Sequence, residues 1–96
     1  MNKAEALQLL RVQLESWRRR TYAALAREVD RAHRFEVNAP SGARYQGSIG
    51  TFWDDKPNGA IRVIGSIDDG GLRAFVPLTD SFIVDSDGTF VGEQVG

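Results

Sequence analysis

Every glycine and every proline of this 96-residue chain lies beyond Ala39, ten glycines and three prolines in all. From Lys3 to Ala32 strong helix formers dominate instead: Ala4, Glu5, Ala6, Leu7, Gln8, Leu9, Leu10 and Arg11, then Ala23, Ala24, Leu25, Ala26, Arg27 and Glu28. Leu7, Leu10, Leu14, Trp17, Thr21, Leu25, Val29 and Ala32 recur at three- and four-residue steps and so share one helical face. Asn2 is placed to cap the first turn, with Glu5 three residues on reaching back to it. A continuous helix over these residues would run about 43 Å at ~1.5 Å per residue. A compact domain of this length is only about 30–35 Å across. The segment is therefore expected either to bend or break near Arg19-Arg20-Thr21, with Thr21 capping a second helix, or to run through and overhang onto another subunit.

After His33 the pattern changes to short runs of β-branched and aromatic residues punctuated by glycine, aspartate and proline, the grammar of an antiparallel sheet. Strands are predicted at Phe35–Ala39, Arg44–Trp53, Ala60–Ile67, Leu72–Leu78 and Phe82–Val84, with a short Thr89–Val91 after the Asp87-Gly88 turn. Pro40-Ser41-Gly42 supplies the first turn, and Gly47 and Gly50 suggest a bulge or a close crossing by the helix. The expected fold is α+β: a helical segment over about 3–32, as one bent helix or two, packed on one face of a four- to five-stranded antiparallel meander over about 35–91. Residues 1–96 read as a single domain.

Asp68-Asp69-Gly70-Gly71 is a strong turn between two β-type runs. Closing it as a hairpin sets Ile67 against Leu72, Gly65 against Ala74 and Val63 against Val76. One face, Ile61, Val63, Gly65 and Ile67 with Leu72, Ala74, Val76 and Leu78, is then apolar or small and expected to receive the helix, close at Gly65. The other face places Ile64 across from Phe75, fringed by Arg62 and Arg73 and extended by Phe52. Aromatic and arginine side chains on an apolar ground are the composition of a protein-binding or dimer surface. The ordinary alternative is cross-strand stabilisation of a sheet face partly covered by a loop.

Formal net charge is −1, but it is unevenly distributed: residues 1–34 carry eight basic and four acidic groups, residues 35–96 four basic and nine acidic. Arg18-Arg19-Arg20 offers polyanion contacts, with Trp17 or Tyr22 able to stack on bases. Successive arginines point around a helix, however, and Glu15, Glu28 and Asp30 provide local partners. A nucleic-acid role for the arginine-rich helix is thus the second reading, behind a protein partner or homodimer.

Catalytic and metal constellations are sparse. With no cysteine and one histidine, thiol catalysis, disulfides and His/Cys zinc sites are excluded. His33 is expected at the helix end, facing the helix dipole. Asp54-Asp55, Asp68-Asp69, Asp80, Asp85 and Asp87 invite a cation reading. The loop Asp85-Ser86-Asp87-Gly88 fails it, because its first ligand would be Ile83 and its closing acid Gln94. Turn chemistry accounts for these aspartates. No glycine-rich phosphate loop and no nucleophile elbow is present. Neither catalytic, cofactor nor metal residues are expected, and small-hydrolase activity ranks last. The polar start Met1–Glu5 and the lack of an apolar run near ~20 residues point away from a signal peptide or membrane span and toward the cytoplasm.

The stretch Phe52-Trp53-Asp54-Asp55-Lys56-Pro57, with Gly65-Ser66-Ile67-Asp68-Asp69-Gly70-Gly71, Phe82-Ile83 and Asp87-Gly88-Thr89-Phe90-Val91-Gly92-Glu93, resembles a family of small bacterial proteins grouped as a domain of unknown function. The resemblance implies a bacterial origin and transfers no residue roles. The reading of the residues is therefore a non-enzymatic interaction domain, with Phe52, Arg62, Ile64, Arg73 and Phe75 as its face.

Overall fold

Capping divides the helical region. In the computed structural model, which describes residues 1–71 and 77–93, α1 spans Lys3–Arg18 and α2 spans Tyr22–Ala26. The Asn2 side chain accepts from Glu5 N at 3.1 Å, and Thr21 Oγ1 accepts from Ala24 N at 3.1 Å. The break expected near Arg19-Thr21 is thus present and shortens α1 to about 24 Å at ~1.5 Å per residue. The reciprocal half of the first cap is not formed. Glu5 instead accepts from Ser41 Oγ at 2.8 Å and Tyr45 Oη at 2.9 Å, tying the helix start to the sheet. Burial, and then the Glu5 carboxylate, push the Tyr45 phenol above its ordinary range.

The helical region ends at Ala26, short of the expected Ala32. Asp30 adopts a left-handed backbone with φ of 65°, and the chain beside it pairs with the sheet: Asp30 N donates to Thr51 O at 2.8 Å and Thr51 N to Arg31 O at 3.4 Å. Strand pairing overrides local helix propensity here, because the next-but-one strand is long enough to offer bonding groups beyond its neighbour's start. His33 consequently sits in a strand and not at a helix end.

Four antiparallel strands follow in meander order: β1 Ala32–Asn38, β2 Arg44–Trp53, β3 Ile61–Asp68 and β4 Leu78–Val84. Two turns share one design. Ala39 N donates to Ala43 O and Gly42 N to Ala39 O; Asp85 N donates to Thr89 O and Gly88 N to Asp85 O. Gly42 at φ 92° and Gly88 at φ 88° supply the left-handed residue of a three-residue hairpin loop. The expected last strand is reduced to one bridge, Val84 to Phe90, with Val91 N donating to Ile83 O at 2.9 Å.

The register at β3 corrects the sequence reading. Ile67 pairs with Leu78, Gly65 with Asp80, Val63 with Phe82 and Ile64 with Ser81. A tight hairpin from Asp69-Gly70 would have set Leu72 and Ala74 in those places and Phe75 opposite Ile64. The strand facing β3 begins at Leu78 because its alternation Leu78, Phe82, Val84 presents the larger apolar side chains to the core. The predicted strand segment Leu72–Val76 lies outside the described residues.

The inner face of the sheet carries Tyr45, Ile49, Thr51, Ile61, Val63, Ile67, Phe82 and Val84, all buried, under Ala6, Leu10, Leu14, Trp17 and Leu25 from the helices. Helix and sheet meet most closely at Gly65, as expected: a Cβ there would lie 2.7 Å from Leu10 Cδ1 and 3.2 Å from Leu14 Cδ2. Gly47 and Gly50 mark neither a bulge nor a helix crossing, since β2 pairs without interruption on both sides. At Gly47 a Cβ would collide with the Ser66 carbonyl oxygen and the Phe35 ring, and at Gly50 it would come within 2.9 Å of the Phe52 ring. These glycines admit aromatic rings, Phe35 from the neighbouring strand at Gly47 and Phe52 from the same strand at Gly50.

Three substitutions test this packing by their effect on stability. Gly65→Ala should cost about 1–3 kcal/mol through overpacking, and Gly47→Ala more, because backbone resists there; urea unfolding measures both. Thr51 Oγ1 is fully buried and has no hydrogen-bond partner among the described residues, so Thr51→Val should raise the unfolding free energy by about 1 kcal/mol.

Candidate functional site

Strand alternation decides which predicted residues meet. Phe52 lies directly opposite Arg62, and Arg62 directly opposite Ile83; Gly50 lies opposite Ile64. Because the Phe52 ring folds over Gly50, it is carried beside Ile64. Phe52, Arg62 and Ile64 therefore share the outer face, as the sequence pattern indicates, and Ile83 joins them. Ile83 was missed because the β4 register was misassigned; its position between Phe82 and Val84, both buried, was the available signal. Arg73 and Phe75, the other two expected members, lie outside the described residues.

Among the described residues this face is partly exposed: Phe52 is 43% exposed, while Ile64 and Ile83 are half-buried. Charges of both signs border the apolar residues. Arg62 Nε donates to Asp54 Oδ1 at 2.9 Å, Gln46 Nε2 donates to Asp68 Oδ1 at 3.0 Å, and Ser48 and Ser66 hydroxyls lie 3.3 Å apart. Beside them, Arg34, Phe35, Gly47, Ser48 and Ser66 line a shallow polar depression of about 190 Å³.

The arginine run is dispersed by the end of α1. Arg18 stacks over Phe90 at 4.2 Å and Phe82 at 5.2 Å, and donates to Glu93. Arg20 stacks over Trp17 at 3.7 Å. Arg19 is the C-cap and is exposed. Three consecutive arginines thus point in three directions, and two are engaged within the fold. A concavity of about 420 Å³ beside Arg18 is lined by Arg11, Asp80 and Glu93 among others. It is crossed by an Arg11–Asp80 ion pair at 3.5 Å.

Asp68, Asp69, Asp85 and Asp87 close turns, whereas Asp80, against the sequence reading, lies within β4 and pairs with Arg11, and Asp54 pairs with Arg62. Asp68 and Asp69 accept from Gly70 N and Gly71 N at 2.7 and 3.1 Å, and Asp85 accepts from Ser86 N at 2.8 Å. Asp87 accepts from Thr89 N at 2.9 Å and Thr89 Oγ1 at 2.6 Å; the hydroxyl and then the amide of Thr89 hold its carboxyl below the usual range. Among the described residues no three acids or histidines gather with metal-site geometry. His33 Nε2 lies 2.7 Å from Glu28 Oε2, its ring 5.2 Å from Trp17. That hydrogen bond holds the Glu28 carboxyl below its ordinary range. No described helix is long and apolar enough to cross a membrane.

No family model matches the chain, and neither a curated protein nor a solved structure does.

The differing roles of adjacent arginines are measurable by chemical denaturation. Arg18→Ala should lower stability by about 1–2 kcal/mol through loss of stacking on two rings, whereas Arg19→Ala should change it by less than about 0.5 kcal/mol.

Proposed function

We propose that this protein is a non-enzymatic interaction domain that self-associates through the outer face of its sheet. The observation that carries the reading is the contiguous Phe52, Ile64 and Ile83 surface on the sheet face opposite the helices, with Phe52 43% exposed. Sheets that bury such a face commonly do so against a second sheet about 10 Å away. The face supplies what a copy of itself needs: apolar residues at the centre, with Arg62 and Asp68 on the same side beside them. A two-fold interface of this kind is self-complementary.

The polar groups from which catalysis would be built have structural employment, His33 with Glu28 and the aspartates with turn amides. The nucleic-acid reading is weaker for a related reason, since Arg18 and Arg20 are stacked on aromatic rings of the fold. A cytoplasmic location and the bacterial family resemblance belong to the same proposal.

Light scattering over a range of concentrations tests the reading. The molar mass should rise with concentration, and Phe52→Ser combined with Ile64→Ser should reduce it while leaving the far-ultraviolet circular dichroism unchanged. A mass that does not respond to this double substitution overturns the proposal.

A further inference from the structure

The free edge of β1 carries a second recognition pattern, distinct from the outer face. β1 is the first strand in the sheet order and has β2 on one side only. The bonding alternation along it follows from its two ends: Ala39 N donates to Ala43 O, and Arg31 O accepts from Thr51 N. Both are odd-numbered positions in the same antiparallel register. His33, Phe35 and Val37 therefore direct their backbone groups to β2, and Ala32, Arg34, Glu36 and Asn38 direct theirs outward. Among the described residues these outward amides and carbonyls have no backbone partner.

Edges of this kind are commonly blunted by proline, a bulge, a very short strand or charged side chains, lysine above all. β1 has seven residues, no proline, and unbroken pairing from Ala32 to Asn38. Its outward residues instead bear one positive and one negative charge, two positions apart. Arg34 makes no ion pair among the described residues, and Glu36 has a single loose contact, Arg44 at 3.5 Å, between side chains that are 77% and 73% exposed.

We propose that a second copy of this chain pairs with β1 along this edge, antiparallel and centred on Phe35. Three neighbouring two-fold registers join outward residue to outward residue. Centring on Arg34 sets arginine against arginine, and centring on Glu36 sets glutamate against glutamate. Centring on Phe35 sets Arg34 against the partner's Glu36 at both ends of the seam. It also overlaps the whole strand, with Ala32 opposite Asn38, and each outward pair exchanges two backbone bonds. On the inner face the two Phe35 residues stand opposite each other at a non-bonded pair, each ring turned back over Gly47 of its own β2. Half-buried in the monomer, Phe35 and Val37 gain cover there. Two sheets become one.

Sedimentation of the full chain tests the register directly. The wild type should associate at least to a dimer, and the Phe52→Ser, Ile64→Ser protein, left with the edge alone, should form the dimer itself. Arg34→Glu and Glu36→Arg each place like charges across the seam twice, and each should raise the dissociation constant about ten- to thirty-fold. An equimolar mixture of the two variants sets opposite charges across both ends of the seam and should recover wild-type affinity as a heterodimer, as should the protein carrying both changes. A merely local effect of either substitution on β1 would not be rescued by mixing. A wild-type monomer at every soluble concentration, single variants of undiminished affinity, or a mixture no tighter than its components would each overturn the proposal. It does not rest on the outer face: the Phe52→Ser, Ile64→Ser protein should retain the edge dimer, so the two associations are lost independently.

Discussion

The approach of α1 to β3 at Gly65 sets the geometry of the whole molecule. With no side chain on the strand at that point, Leu10 and Leu14 descend onto the backbone between Val63 and Ile67. A helix that lies this low covers the sheet with few large side chains, which suits a chain whose core is built largely from Leu, Ile and Val. Close packing then concentrates burial on one side. The inner face is sealed by α1, α2 and their loops, and the outer face is left to whatever the solvent or another molecule provides.

Glycine has a second use in β2, with a different result. At Gly47 and Gly50 the missing side chains are replaced by rings from nearby positions, Phe35 across the strand pair and Phe52 along the strand. The aromatic rings are thereby laid flat on the sheet instead of standing from it. A flat ring keeps its own strand ordered and still offers a broad apolar surface. The placement of Phe52 is for that reason both a packing device and the centre of the candidate face.

Much of this was legible in the sequence where a single local rule governed. The cap residues Asn2 and Thr21, the ten residues of Arg44–Trp53 and the low crossing at Gly65 follow from residue type and spacing, whereas the helix break was one of two outcomes left open, since the apolar stripe stays in phase across Thr21. What was not legible depended on competition between distant segments. Val29 to Arg31 leave the helical pattern because β2 offers backbone partners. The strand opposite β3 is chosen by the core side chains of Leu78–Val84, against the strong turn written at Asp68–Gly71. Glu5 bonds to Ser41 and Tyr45, which no reading of its own helix would supply. Of the candidate face, Phe52, Arg62 and Ile64 were legible because strand alternation fixes a face without fixing a partner. Ile83 required the partner.

Arg18 joins the last turn of α1 to Phe82, Phe90 and Glu93, spanning most of the chain. A growing chain emerging from the ribosome has its helix early, at a time when the rings and carboxylate that receive this side chain have not been made. Until they arrive, the end of α1 and the inner side of β4 lack a shared lock. The contact closes only once β4 and the segment carrying Phe90 and Glu93 have both been made, so a helix formed early waits on residues far along the chain for one of its anchors.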